Sequence, residues 1–286
     1  MNKMTIKKLI GFSSLMRLDK PIGTFLLLWP TLTTFYILTN GQPNLTLVFI
    51  FVLGTLFMRS AGCTINDFLD KDFDGKVERT RGRPLIIGTV SPQEALILFF
   101  SLVAASAYLL TWTNQFTFML ACVGVLLTSL YPLTKRFFSF PQVVLGFAFS
   151  WGVLMVSAAE LNSINLVTIL IFAACFFWIL AYDTVYAMCD KQDDISIGIN
   201  SSALALGNYV KLSVLIFHFL SLILWCYIGY FKELETIFFL ALFLSLILVC
   251  YQLILIKDYD RKKCLQAFKN NNWIGLIIFT GVFFSY

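Results

Sequence analysis

Apolar stretches of membrane-spanning length alternate with short polar segments along most of this chain. A transmembrane helix needs about 20 mainly apolar residues. Strands of a membrane barrel would instead alternate polar and apolar residues at period two. The stretches predict an all-α integral membrane protein with nine transmembrane helices. They lie at 21–39, 46–66, 93–112, 116–134, 141–160, 165–189, 209–230, 236–257 and 271–286, the last being short.

The composition supports this class and excludes a water-soluble one. Hydrophobic residues make up 59% of the 286 residues, charged residues only 13%, and the mean hydropathy is +0.82. A soluble domain of this size would keep far more polar residues on its surface. We therefore expect residues 1–286 to form one membrane domain.

Residues 1–20 form a basic, amphipathic segment. Ile6 and Leu9 occur on one side of a predicted helix, and Lys7 and Lys8 occur beside them. Such helices lie in the plane of a lipid surface. The sequence therefore predicts a cytoplasmic segment that contacts membrane lipid.

The basic residues fall on one side of the predicted membrane. Cytoplasmic loops carry an excess of Lys and Arg. Nineteen of the twenty-one basic residues fall in the N-terminal segment and four alternate loops, at 67–91, 135–140, 190–211 and 257–270. The distribution supports nine helices, with the N-terminus in the cytoplasm and the C-terminus on the opposite side of the membrane.

Two acidic clusters stand out against this apolar background. The first, "NDFLDKDFD", holds a quarter of the sixteen acidic residues, and the second is "YDTVYAMCDKQDD". Each lies at the cytoplasmic end of an even-numbered helix, the second and the sixth. Each also opens a long inner segment, at 66–91 and 190–208, and we expect these segments to cap the cytoplasmic face.

Carboxylates at this density repel each other and are costly to keep ionised near hydrocarbon. A shared divalent cation removes that cost, and ligands that are all oxygen suit Mg²⁺. Two facing clusters are suited to holding such ions around one diphosphate. A solvated loop position explains Asp72 and Asp193 equally well. The stronger candidate ligands are Asp67, Asp70, Asp190 and Asp194.

The clusters "NDFLDKDFDGKVERTRGRPL" and "YDTVYAMCDKQDDISIGINSSALALG" resemble the aspartate-rich signatures of intramembrane prenyltransferases of the UbiA superfamily. "RLDKPIGTFLLLWPTL", "FMRSAGCTINDF" and "LYPLTKRFFSFPQVVLG" extend the likeness over nearly the whole chain. The resemblance implies nine membrane helices around a central cavity with a cytoplasmic cap, open sideways to lipid. It also implies an enzyme that transfers a polyprenyl group from polyprenyl diphosphate, with Mg²⁺. The closest likeness is to enzymes that prenylate 4-hydroxybenzoate ortho to its hydroxyl in ubiquinone synthesis.

The resemblance also assigns roles to matching residues. Asn66 would contact the diphosphate, and Lys135 would lie against phosphate. Arg136 would bind the carboxylate of the acceptor, and Asp183 or Asp190 would take its phenolic proton. Tyr131 and Tyr186 would lie beside them, Tyr186 on the helix face that carries Asp183. The implied metal-binding set is Asp67, Asp70, Asp74, Asp190 and Asp194.

Several basic residues keep two interpretations. Arg59 lies inside the second helix and either pairs with an aspartate or contacts diphosphate or carboxylate. Arg79 and Arg83 either clamp the diphosphate or only set topology. Arg17 is either a surface anchor or a cavity residue. Two roles, interfacial anchoring and catalysis, also stay open for Tyr131, Lys135 and Arg136.

Two other functions stay open at this point. One is a related transferase with another aromatic acceptor. The other is an ion-coupled transporter, which is disfavoured because transporters usually carry their charges near the bilayer midplane. The sequence implies no nucleic acid and no obligate protein partner.

Overall fold

The computed structural model describes residues 3–75, 80–134, 137–198 and 200–286, and every regular element in those residues is a helix. Short turns join most of them, and a 3₁₀ turn at Gly207–Tyr209 precedes the tenth helix. The α-helices are α1 (Lys3–Leu15), α2 (Ile22–Leu38), α3 (Leu45–Leu69), α4 (Lys71–Asp74), α5 (Pro92–Leu110), α6 (Gln115–Thr134), α7 (Gln142–Leu161), α8 (Leu166–Ile197), α9 (Ser202–Ala205), α10 (Val210–Phe231), α11 (Thr236–Leu255) and α12 (Arg261–Phe283).

Six of these helices are long and apolar enough to cross a membrane. They are α3, α5, α7, α8, α10 and α11. Two further helices, α2 and the first seventeen residues of α6, are apolar but shorter. The chain is therefore a multi-pass membrane protein.

Two helices extend beyond the apolar stretches that predicted them. The stretch at 271–286 belongs to α12, which begins ten residues earlier because the side chain of Asp260 accepts a hydrogen bond from the Lys263 N–H (2.8 Å) and caps the helix. The stretch at 165–189 belongs to α8, which continues to Gly198, where a left-handed residue ends it (φ 76°). The second acidic cluster is therefore helical throughout.

The bundle has a solid side and a hollow side. On the solid side α8 packs against α10 and α12, and α12 packs against α11 and α2. Tyr182, Trp178, Ile274 and Phe238 fill the space between these helices. On the hollow side α3 packs on α5, and α6 packs on α7. The cavity described below lies between these two pairs.

Helix α1 is attached by its last turn to the end of the bundle that carries the acidic clusters. Leu15 is fully buried against Val90 and Ala95, whereas Ile6 and Leu9 are exposed. The exposed apolar side chains match the amphipathic pattern of the sequence. This attachment places Arg17, the second residue after the helix, over the end of α3.

Candidate active site

The first acidic cluster is built where α3 ends. Asp70 is the C-cap residue of α3, and its N–H donates to the Asn66 carbonyl oxygen (2.9 Å). One turn later the Asp74 N–H donates to the Asp70 carbonyl oxygen (2.9 Å). The chain thus continues almost as a helix through α4, so the side chains of Asn66, Asp67, Asp70 and Asp74 stay together.

Asp67 is the most buried acid of this cluster and is held by two arginines. Only 1% of its side chain is exposed. The Arg17 guanidinium donates to both carboxylate oxygens (2.8 and 2.9 Å) from a left-handed backbone position (φ 60°). Arg83 approaches the same carboxylate at 2.9 Å and also donates to Asp74. Asp67 therefore ties α1 and the segment after α4 to the end of α3.

Asp74 lies in a crowded acidic environment. Burial raises the pKa of its carboxyl, Arg83 opposes that shift, and the nearby Asp67 and Asp70 add to it. The net pKa is above the ordinary aspartate value. This means that negative charge is disfavoured here unless another cation arrives.

The second cluster lies on the inner face of the C-terminal half of α8. Asp183 is buried there, and Asp190 and Asp194 are half-buried. Asp193 points elsewhere, because its carboxylate accepts a hydrogen bond from Arg261 (2.7 Å). The same guanidinium donates to the Cys189 carbonyl oxygen (2.8 Å) and joins α8 to α12.

The two clusters meet around Tyr131 at the end of α6. Its hydroxyl interacts electrostatically with four side chains of α3 and α8, namely Asp183, Asp70, Tyr186 and Arg59. Arg17, which holds Asp67, also interacts electrostatically with Tyr186. Acids that are more than a hundred residues apart in the sequence therefore share one polar chamber.

Arg59 forms the inner wall of this chamber. Its guanidinium carbon lies 5.6 Å from the centre of the Phe149 ring, and Gly23 provides the space, because a Cβ there would collide with the guanidinium. Its Nε is buried and has no hydrogen-bond partner among the described residues. A buried charged donor without a partner is costly, so this position is suited to an anionic ligand.

From Arg59 an apolar cavity of about 540 Å³ continues into the membrane half of the bundle. Residues of α2, α3, α5, α6 and α7 line it. Phe118 and Leu126 of α6 belong to the lining and are nevertheless largely exposed, so the cavity is not closed off from the surroundings. The cavity therefore opens toward the lipid on the side of α5 and α6.

The donor atoms of the chamber suit a hard cation that is bound together with an anionic ligand. The acids provide only oxygen donors, and this chemistry favours ions such as Mg²⁺. Within the described ranges, no three Asp, Glu, His or Cys side chains are grouped so that they hold an ion by themselves. Mg²⁺ commonly uses one or two carboxylates and completes its shell with phosphate oxygens and water. The residues present fit that mode of binding.

Three of the predicted site residues, Arg79, Lys135 and Arg136, lie outside the described residues. The arginine pair on Asp67 was not predicted, since Arg17 is fifty residues away in the sequence. The contact of Gly23 with Arg59 was also missed. Its only signal in the sequence is a glycine inside an apolar stretch.

Comparison with known proteins agrees with this geometry. Residues 27–277 match the UbiA prenyltransferase family. The chain is 45% identical over 280 residues to 4-hydroxybenzoate octaprenyltransferase of Nitrosospira multiformis, covering 98% of this chain and 97% of that protein. It is 43% identical over 286 residues to the enzyme of the same name from Aeromonas hydrophila, which covers both chains completely.

Solved structures share the fold at low sequence identity. The apo structure of a UbiA homologue from Aeropyrum pernix superimposes with a TM-score of 0.79 at 23% identity, over 91% of this chain and 97% of that one. A UbiA homologue from Archaeoglobus fulgidus, bound to GPP and Mg²⁺, superimposes with a TM-score of 0.74 at 17% identity, over 96% of this chain and 99% of that one.

A helical bundle with two facing acidic helix ends above an apolar cavity is the architecture of an intramembrane prenyltransferase. This chain belongs to the UbiA prenyltransferase family.

Proposed function

We propose that this enzyme transfers a polyprenyl group, of octaprenyl length in the named relatives, from its diphosphate to carbon 3 of 4-hydroxybenzoate. The observation that carries the proposal is Arg59, a half-buried cation where the acidic chamber meets the apolar cavity, whose buried Nε has no hydrogen-bond partner among the described residues. A benzoate carboxylate is a small anion on an apolar ring, and it matches that position. A long apolar tail matches the cavity beyond.

The donor diphosphate would be held at the acidic chamber. Asp70 of the first cluster and Asp190 and Asp194 of the second would hold Mg²⁺ together with the phosphate oxygens, and Asn66 would contact the diphosphate. Mg²⁺, when bound, would neutralise charge on the diphosphate and favour ionisation of the allylic carbon–oxygen bond. Asp67 and Asp74 would act indirectly, because they hold the guanidinium groups of Arg17 and Arg83 over the chamber.

The acceptor would lie between Arg59 and Asp183. Its carboxylate would pair with the Arg59 guanidinium, and we retain Arg136 as a second partner for that carboxylate and Lys135 as a phosphate contact. Asp183, buried close to Tyr131, would accept the phenolic proton and so make the ring more nucleophilic. The allylic carbon–oxygen bond breaks and diphosphate leaves with the electron pair. The ortho ring carbon then bonds to the allylic carbon, and loss of its proton restores the aromatic ring.

The basic loops support a bacterial inner-membrane location with nine crossings, the acidic chamber and its cap on the cytoplasmic side. A reporter tag at residue 42, 114 or 163 should then be accessible from the periplasm. A tag at residue 75 or 262 should be accessible from the cytoplasm. Labelling of intact and permeabilised cells measures this, and a cytoplasmic signal at 163 would contradict nine crossings.

The acceptor assignment is tested with purified enzyme in liposomes that contain octaprenyl diphosphate. We expect radiolabelled 4-hydroxybenzoate to yield a lipid-soluble product, and hydroxynaphthoate or homogentisate to yield little. Arg59→Gln keeps a polar side chain that can donate hydrogen bonds, but it removes the charge and shortens the side chain. It should raise the KM for 4-hydroxybenzoate by about tenfold or more, since one charge-assisted hydrogen bond is lost.

The matched control is the KM for octaprenyl diphosphate, which should stay within about twofold of wild type because Arg59 lies on the acceptor side. Preference for a different acceptor would overturn the acceptor assignment. If the Arg59→Gln enzyme loses affinity for the diphosphate and keeps its affinity for the acceptor, Arg59 binds the diphosphate and not the acceptor carboxylate.

A further inference from the structure

The wall of the apolar cavity contains one position where a side chain is missing. On α3 the lining residues recur at helical spacing, so they form one face of that helix. Gly54 lies in the middle of this face. The residues of the face are Ile50, Phe51, Gly54, Thr55, Met58, Arg59 and Gly62.

Gly54 differs from the other three glycines of the cavity wall, Gly62, Gly124 and Gly152, the last of which would place a Cβ 3.2 Å from the Thr31 hydroxyl. A Cβ at Gly54 would have no atom within 4 Å, whereas one at Gly62 would touch Thr128 and one at Gly124 would press on Trp151. The glycine at position 54 is therefore not required for helix packing. Its effect is to leave the middle of the cavity empty.

Small side chains of α5 and α6 also belong to the cavity wall, together with larger ones such as Leu110 and Phe118. The small ones are Ser106 and Ala107 of α5 and Ala121 and Cys122 of α6. Within the described residues, α5 packs mainly on α3, and α6 on α7 and α3. The space between α5 and α6 is therefore an open route from the middle of the cavity to the lipid.

The distance from the acidic chamber to Gly54 corresponds to a definite length of prenyl chain. Gly54 precedes Asn66 by twelve residues, which is about 18 Å of helix. Each isoprene unit adds four chain carbons, or about 5 Å when extended at bond lengths of about 1.5 Å. The third or fourth unit of a bound tail would therefore pass Gly54. Eight units span about 40 Å, more than the hydrocarbon thickness of about 30 Å, so the end of such a tail must leave the bundle.

We propose that Gly54 is a chain-length determinant: the empty space at this position lets tails longer than about three isoprene units pass between α5 and α6 to the lipid. A side chain at position 54 would fill the route and leave room only for short donors. This inference rests on the proposed prenyl transfer. It specifies, in addition, the chain length of the prenyl diphosphates that the site accepts.

The test is a series of Gly54→Ala, Gly54→Leu and Gly54→Phe enzymes in liposomes, each assayed with geranyl, farnesyl and octaprenyl diphosphate. We expect Gly54→Phe to keep geranyl transfer within about twofold of wild type and to lower octaprenyl transfer by about tenfold or more, because overpacking of a filled space carries a cost of that order. The loss of farnesyl transfer should lie between the losses of geranyl and octaprenyl transfer. For octaprenyl transfer, the loss should grow with the size of the side chain at position 54.

Two controls separate this effect from misfolding and from failure of the proposed function. Phe49→Trp adds volume to the same helix at a side chain that is 62% exposed on the outside of the bundle, and it should change no donor preference. The thermal midpoint of Gly54→Ala should equal or exceed that of wild type, because alanine favours a helix over glycine.

Equal losses for short and long donors in Gly54→Phe, or unchanged octaprenyl transfer, would overturn the chain-length role. A wild-type enzyme that transfers no prenyl group to any aromatic acceptor would instead overturn the proposed function.

Discussion

Replacing Asp70 or Asp194 by alanine is expected to lower the rate of prenyl transfer by about two to three orders of magnitude, since each removes a charge that stabilises the departing diphosphate. The two residues come from different clusters, and Asp70 of the first cluster and Asp183 of the second both act electrostatically on Tyr131. Single-turnover kinetics at saturating substrate would measure the loss. Chelation with EDTA should abolish the activity of the wild type, and added Mg²⁺ should restore it.

The matched control for these variants is Asp72→Ala. Asp72 lies on α4 between Asp70 and Asp74 but is exposed, so its removal should change the rate by less than about twofold. Thermal midpoints of all three enzymes show whether a slow variant is still folded. A fully active Asp70→Ala or Asp194→Ala enzyme would remove that residue from the metal site.

Replacing Asp67 by asparagine should mainly destabilise the fold. The change leaves Arg17 and Arg83, 21% and 15% exposed, without their shared carboxylate. Breaking one side of a buried ion pair costs about 3–5 kcal/mol. We therefore expect a clear drop of the thermal midpoint, measured by tryptophan fluorescence in detergent, and an easier release of α1 from the bundle.

Asp258→Asn provides the comparison for this effect. Asp258 pairs with Lys263 at 3.8 Å, and both side chains are more than half exposed. Exposed pairs contribute about 0–1 kcal/mol, so the midpoint should hardly move. An Asp67→Asn enzyme that melts like wild type but shows the rate loss of Asp70→Ala would identify Asp67 as a metal ligand.

The sequence predicted the helical membrane class because membrane helices must be long and apolar, and this requirement is local. It also predicted that Asp70 and Asp183 belong to one site, since both lie toward the C-terminal ends of helices that cross the membrane in the same direction. Both carboxylates influence the Tyr131 hydroxyl electrostatically, and their membership of one catalytic site stays a prediction. The distinct roles of neighbouring acids were not predictable in this way.

Those distinct roles depend on partners that are distant in the sequence. Asp67 and Asp70 are three residues apart, but the folding of α1 across the end of α3 gives Asp67 the Arg17 guanidinium. Asp193 is directed away from the chamber because α12 presents Arg261 to it. No local pattern specifies either pairing. The start of α12 was also missed, because its first turns are charged and polar rather than apolar.

The opening of the cavity between α5 and α6 has a consequence for how the reaction should be measured. If the tail of the donor stays among the lipids while its diphosphate is bound, the enzyme meets this substrate in two dimensions. Its rate should follow the number of donor molecules per lipid molecule. Adding empty lipid to proteoliposomes that fuse with it should slow the reaction, although the bulk concentrations of enzyme and both substrates are unchanged.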